Sequence, residues 1–247
     1  MLTVLYAVLL YFAFAMLVVG VGYKCWVYAR TPQPLRIPVP PAPTTRRGVV
    51  LRLLFEVTLF RALFRSNKWI WLFGWVFHVA LFAVLMRHLR YFADPVWGWV
   101  VMIQPIGLYA GFAMLVGLAG LWARRLLVDR VRFISSPSDH LMLALLAAIV
   151  VSGLTMKYLA HTDIVSLKAF VLGLMVFDWR ELPADPALLV HLALVAILMI
   201  VFPMSKLLHA PGVFFSPSLN QVDDARERRH VAGWSAQIVH ADRVRSG

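Results

Sequence analysis

Five long apolar runs, at about 2–27, 69–92, 99–123, 139–160 and 186–209, alternate with shorter polar or basic connections. A helix that crosses a bilayer needs roughly 20 predominantly apolar residues, and each run meets that length. The pattern predicts an all-α integral membrane protein built as a five-helix transmembrane bundle. The first run, LTVLYAVLLYFAFAMLVVGVGYKCWV, starts directly after Met1 without a basic leader. It is too long for a cleavable signal and is expected to stay attached.

Two connections carry more than a turn. Residues 31–45, TPQPLRIPVPPAPTT, form a proline-rich spacer, too stiff and polar to cross a membrane. The following RRGVVLRLLFEVTLFRALFRSNKW sets Arg46, Arg47, Arg52, Arg61 and Arg65 among Leu, Phe and Val. That composition suits a basic amphipathic helix on the inner membrane surface, or equally a docking segment for a cytoplasmic partner. IVSLKAFVLGLMVF (164–177) is apolar but too short to span comfortably, and is placed along the outer interface. The chain thus divides into a membrane domain over 1–215, including the inner-face segment 31–68, and a polar, charged cytoplasmic tail over 216–247.

Composition agrees with the pattern. Of the 247 residues 61% are apolar and 15% charged, against about 45–50% and about 25% in an ordinary soluble domain. The net charge of +12 would suit nucleic acid if it formed one basic face, but it does not. Of the 24 Lys and Arg, 8 lie between 28 and 69, 4 between 124 and 139, and 6 from 206 onward, each cluster bordering an apolar run. Basic loops stay in the cytoplasm, so the N-terminus is expected outside and the C-terminus inside the cell (inner) membrane of a prokaryote. The opposite loops, 87–98 and 157–185, hold only 5: Arg87, Arg90, Lys157, Lys168 and Arg180. Trp26, Trp69, Trp97, Trp99 and Trp122 fall near run ends, where an interfacial belt requires them.

Cysteine usage narrows the chemistry. A single Cys25 excludes an internal disulfide, a cysteine-ligated iron–sulfur cluster, a CxxC zinc site and a CxxCH haem attachment. Metal chemistry must rest on histidine. His161, His230 and His240 lie in polar connections or the tail, whereas His78, His88, His140, His191 and His209 lie in apolar runs or at their ends. An ionisable residue inside a span is costly and marks function by default. His78 and His88 are 10 residues apart, roughly 15 Å of depth and about 80° of rotation on a helix. His191 and His209 are 18 apart, which on a continuous helix is about five turns, one shared face and roughly 27 Å.

Because the second run leads outward and the fifth inward, His78 pairs with His209 on the inner side and His88 with His191 on the outer side. Facing neutral imidazoles can fill both axial positions of a haem iron. Helix tilt and a bend at Pro203 are expected to absorb the unequal separations. His140 is the alternative inner ligand; it could equally contact a haem propionate or cap its helix behind Asp139. Arg87, Arg90, Tyr91 and Gln104, at the outer ends of the second and third runs, are candidate quinone contacts. The two arginines could instead snorkel to the interface or pair with haem propionates. No residue is assigned a catalytic role.

The histidine spacings, the five runs and the closing FPMSKLLH (202–209) resemble the di-haem cytochrome b (gamma) subunits of respiratory nitrate reductase, over roughly 69–209. A narrower segment, LLHAPGVFFSPSLNQVDDARERRH (207–230), looks like the DsrM family, cytochrome b subunits of the membrane complex associated with dissimilatory sulfite reductase. The resemblance implies two haem b, the inner on His78 and His209, the outer on His88 and His191. It further implies electron exchange with the quinone pool (menaquinone or ubiquinone) near the outer haem. Electrons would pass through the inner haem to or from a cytoplasmic iron–sulfur subunit resembling DsrK, which handles the sulfur carrier DsrC. The chain would then be the quinone-interacting subunit of an oxidoreductase complex in dissimilatory sulfur metabolism, with a nitrate-reductase-type gamma subunit as the alternative. One departure stands out: the nitrate reductase relatives carry a lysine near the outer start of the third span, whereas WGWVVMIQPIG (97–107) has no basic residue and Gln104 is the nearest polar candidate.

Two other classes compete. A transporter using span histidines for protons or a cation often shows repeated halves or broken helices, and the runs show neither, with few acidic residues inside them. A haem-free anchor that only recruits soluble subunits is the third reading. The charge asymmetry is testable directly. With Cys25→Ser as background, Ala184→Cys is expected to react with an impermeant thiol reagent on intact cells, and Ser218→Cys is not. The reverse pattern overturns the orientation.

Overall fold

The computed structural model describes residues 1–33 and 37–224. In chain order its helices are α1 (Leu2–Arg30), α2 (Arg46–Leu59), α3 (Arg61–Ser66), α4 (Lys68–His88), α5 (Gly98–Leu127), α6 (Asp129–Ile134), α7 (Pro137–Thr155), α8 (Ile164–Met175), α9 (Pro186–Val201), α10 (His209–Gly212) and α11 (Pro217–Asn220). Among the described residues there is no strand. With their flanking turns, α1, α4, α5, α7 and α9 are long and apolar enough to cross a membrane, as expected. Only 11–33% of each span is buried within the chain, so most of its apolar side chains face outward, as a lipid-solvated helix requires.

Helix starts are chemically marked. The Asn67 side chain accepts Ile70 N–H ahead of α4, and Ser136 with Asp139 forms a capping box around Pro137 ahead of α7. The Asp185 carboxylate accepts Ala187 N–H ahead of α9. Each cap satisfies amides that the first helical turn leaves without partners. Asp163 does the same for α8, and the Ser166 hydroxyl and amide with the Val165 amide hold its carboxyl below the usual range.

The chain forms two compact units, one of residues 1–20 with 60–205, the other of 21–59 with the chain from 206. In the first, Phe77, Ala80 and Ala83 of α4, Ala110, Met114 and Leu118 of α5, and Leu146 and Val150 of α7 make one core. Lipid supplies no hydrophobic drive between helices, so close backbone approach must hold them together. α5 presents glycines for that purpose. A Cβ on Gly117 would lie 2.8 Å from Phe77 Cβ and 2.9 Å from its backbone nitrogen, and one on Gly107 would lie 2.7 Å from Arg87 Cβ. A second core joins Leu167 and Phe170 of α8 to Leu182 and Leu188, with Tyr6 and Leu10 of α1 against it. Tyr6 and Tyr11 donate their hydroxyls to Leu189 O and Leu174 O, tying α1 to this layer.

Two expectations are corrected. The segment 46–69 is not one helix: Phe60, at φ 50°, ψ 47°, separates α2 from α3. A bulky residue in that region costs of order 1–3 kcal/mol; here its ring meets the His78 ring edge-on at 5.0 Å. The fifth run is not helical to 209 either. α9 ends at Val201, Phe202–Met204 form a 3-10 turn, and Ser205 is extended. Pro203 has no N–H for the helix ladder and its ring opposes the preceding turn. The five-turn phase between His191 and His209 is therefore lost. The 164–177 segment forms α8, 12 residues long and too short to span.

In the second unit the proline-rich segment and the start of the predicted tail hold each other. Val39 N–H donates to Ser218 O, Ile37 N–H to the buried Gln221 side chain, and Asp223 N–H to Pro43 O. The rest of that tail, 225–247 with His230 and His240, lies outside the described residues, as do 34–36.

The α4–α5 contact yields a stability test. Gly117→Ala is expected to lower the thermal midpoint in detergent by the equivalent of about 1–3 kcal/mol, because the clash is with backbone that cannot swing aside. Gly22→Ala, where nothing lies within 4 Å of the added Cβ, is expected to leave the midpoint unchanged or slightly raised.

Candidate functional site

His78 and His88 lie on one unbroken helix, α4. A polar ring inside an apolar span must find its hydrogen-bond partners within the protein. His78 Nδ1–H donates to Gly74 O, and His88 Nδ1–H to Val84 O, each at 2.7 Å and four residues back. A carbonyl oxygen can only accept, so the proton of the neutral ring is assigned to Nδ1 and the lone pair to Nε2.

His191 reaches the same state by a different route. It is buried on α9 and sends Nδ1 across to α7, 2.9 Å from Ser152 Oγ. Ser152 spends its one hydroxyl hydrogen on Ile149 O at 2.9 Å, so His191 Nδ1–H is the donor and Nε2 again keeps its lone pair. Gly153 lies beside the ring: a Cβ there would stand in van der Waals contact, 3.4 Å from His191 Cε1.

His88 and His191 come together with ring centroids 6.5 Å apart and planes within 13° of parallel. Imidazoles bound on opposite sides of one metal at about 2.0–2.1 Å put their centroids roughly 6 Å apart. Among the described residues no three His, Cys, Asp or Glu converge as a metal cage. A centre offering two histidines suits a metal that brings its own equatorial ligands, as haem iron does. On spacing and tautomer, this pair fits that group.

The other span-end histidines differ. His209 belongs to the second unit, where it is exposed at the start of α10 and its Nδ1–H donates to Lys206 O at 2.9 Å. His140 carries the opposite tautomer, because the Trp122 indole N–H donates to its Nδ1 at 3.1 Å. Its proton then sits on Nε2. Asp139 beside it is buried and salt-bridged to Arg125 at 3.4 Å.

The four predicted quinone contacts assemble beside His88. Arg87 donates to Gln104 O at 2.8 Å and Arg90 to Gln104 Oε1 at 3.3 Å, while Gln104 Nε2 donates to Arg87 O and Val100 O. The Tyr91 ring lies 6.0 Å from the His88 ring, with the Arg90 guanidinium 5.7 Å from the Tyr91 centroid. The residues that sequence reasoning missed are Ser152 and Gly153. Their signal was a serine inside an apolar run, next to a residue without a side chain.

Residues 62–224 match the family described as the nitrate reductase gamma subunit. The Hdr-like menaquinol oxidoreductase cytochrome b-like subunit of Archaeoglobus fulgidus is 35% identical over 97% of this chain and 86% of its own length. The protein of the same name from Archaeoglobus profundus is 36% identical over 96% and 84%. With residues 62–224 matching that family and relatives at 35–36% identity over nearly the whole chain, the chain belongs to the nitrate reductase gamma subunit family.

Proposed function

We propose that this chain is the di-haem cytochrome b subunit of a membrane menaquinol oxidoreductase complex, exchanging electrons between the quinone pool and a cytoplasmic iron–sulfur partner. The observation that carries the reading is the near-parallel His88–His191 pair, each ring with its lone pair on Nε2. His88 and His191 hold the outer haem, and His78 and His209 the inner one. The choice of His209 over His140 follows the tautomers, since the Trp122 indole occupies His140 Nδ1. Menaquinol is favoured as the quinone by the names of the relatives. The segment at 207–230 favours a DsrM-type role in dissimilatory sulfur metabolism with a DsrK-like partner, over a nitrate-reductase-type partner.

Bound by these histidines, haem supplies one-electron transfer. The protein's own work is to hold the rings, keep Nε2 unprotonated and present polar groups to the quinol. Oxidising one quinol releases two electrons and two protons, so its headgroup needs donors and acceptors beside the outer pair. Arg87, Arg90, Tyr91 and Gln104 supply them, with Gln104 bracing the two arginines.

Purified protein is expected to show a reduced b-type spectrum with about two haems per chain, and colourless protein would remove this reading. His88→Ala or His191→Ala should abolish one haem signal, and His78→Ala or His209→Ala the other, each halving the haem content. Loss of a haem in His140→Ala, with both kept in His209→Ala, would reassign the inner ligand. For the quinone contacts, Arg90→Ala with both haems intact should slow quinol-driven haem reduction about tenfold or more, the worth of one hydrogen bond to a charged group. Wild-type rates and inhibitor sensitivity in all four alanine variants would move the search to the inner face.

A further inference from the structure

The histidines of the proposed ligand set are not held alike. His78, His88 and His209 each donate Nδ1–H to a backbone carbonyl within their own local turn, three or four residues back. His191 is held by a side chain of another helix, the Ser152 hydroxyl of α7. We infer that Ser152 is the positioning residue of the outer haem, seating His191 through a relay from imidazole to hydroxyl to the Ile149 carbonyl. This rests on the proposed ligand role of His191.

Several features of α7 converge on this seat. Ser152 sits in the interior of the helix, between Val151 and Gly153, where a hydroxyl gains nothing from lipid. It is oriented by its bond to Ile149 O, so its lone pairs are aimed rather than free to rotate. Gly153 brings the α7 backbone against the same ring, 3.4 Å separating its Cβ position from His191 Cε1. A hydroxyl contact and a close backbone contact at adjacent positions thus meet one imidazole.

The chemical consequence follows from donation. An Nδ1–H given to a good acceptor makes the ring a stronger electron donor through Nε2, which favours the oxidised metal. The Ser152 oxygen is a better acceptor while its own hydrogen is engaged with Ile149 O, because bonds in a chain polarise one another. Removing the hydroxyl takes away the side-chain acceptor of Nδ1–H and breaks the relay that orients the ring. The change should therefore favour the reduced outer haem and alter its low-spin signature, with the inner haem untouched.

The test compares Ser152→Ala and Ser152→Thr with wild type, in purified protein with both haems loaded. The outer haem is identified as the one lost in His88→Ala. In Ser152→Ala the reduced-to-oxidised ratio of that haem, at a fixed external potential, is expected to rise at least threefold. Its ferric low-spin paramagnetic resonance signal should shift, and Ser152→Thr, which keeps a hydroxyl, should restore both. An unchanged potential and signal in Ser152→Ala overturn the inference, as does equal loss of the outer haem in the alanine and threonine variants, since the hydroxyl would then not be what matters. Should His191→Ala retain both low-spin haems, the ligand reading itself fails, independently of how Ser152 behaves.

Discussion

An imidazole inside a membrane-spanning helix has two ring nitrogens to satisfy, and lipid offers neither a donor nor an acceptor. Everything distinctive in this fold can be traced to that constraint. At His78 and His88 the answer is local: the carbonyl one turn back takes the Nδ1 proton. This costs the helix little, because a carbonyl has a second lone pair to share. The same solution leaves Nε2 as a base, so meeting the hydrogen-bond requirement of the span also prepares the ring for a metal. His140 obeys the constraint with the opposite polarity. There an indole N–H meets Nδ1, and the ring is made a donor through Nε2.

Ring placement then depends on how closely the helices approach. α4 carries His78 and His88, and α5 fixes α4 by bringing glycine backbone against it at Phe77 and at Arg87, one residue before each histidine. A histidine pair that must meet across helices tolerates little sliding, because interiors respond to misfit by discrete repacking rather than gradual deformation. Gly107 and Gly117 are thus as much a part of the site as the groups that touch it. Near the C-terminal end of α4, Gln104 completes the lock by bonding to both backbone and guanidinium groups.

Much of this was legible in the sequence, and the limits have physical causes. The five spans followed from length and apolarity alone, because a bilayer imposes one thickness on every helix that crosses it. The assembly of Arg87, Arg90, Tyr91 and Gln104 beside His88 was legible too, since polar residues at neighbouring helix ends have few places to go. The continuity of the fifth run was misread. Eighteen residues between His191 and His209 suggest five turns only if the helix persists, and Pro203 marks where it does not. Pro203 is expected to bend the span; instead the α-helix ends at Val201, two residues before it. Phe60 was illegible for the opposite reason. Nothing in its local sequence favours a left-handed backbone, and the His78 ring that it meets lies 18 residues away.

Ser152 shows why single polar residues in apolar runs repay attention. Taken by its neighbours, it is a weak helix former tolerated through a bond to the carbonyl three residues back. That bond alone would leave its remaining lone pairs facing hydrocarbon, at the price any unpartnered polar group incurs there. A donor from another helix removes the cost, and in a membrane interior donors are scarce. A span serine with its hydrogen already committed to its own backbone is therefore an acceptor waiting for a cross-helix N–H. In this chain the N–H belongs to His191, so the same bond relieves both residues and couples the rotation of α9 to that of α7.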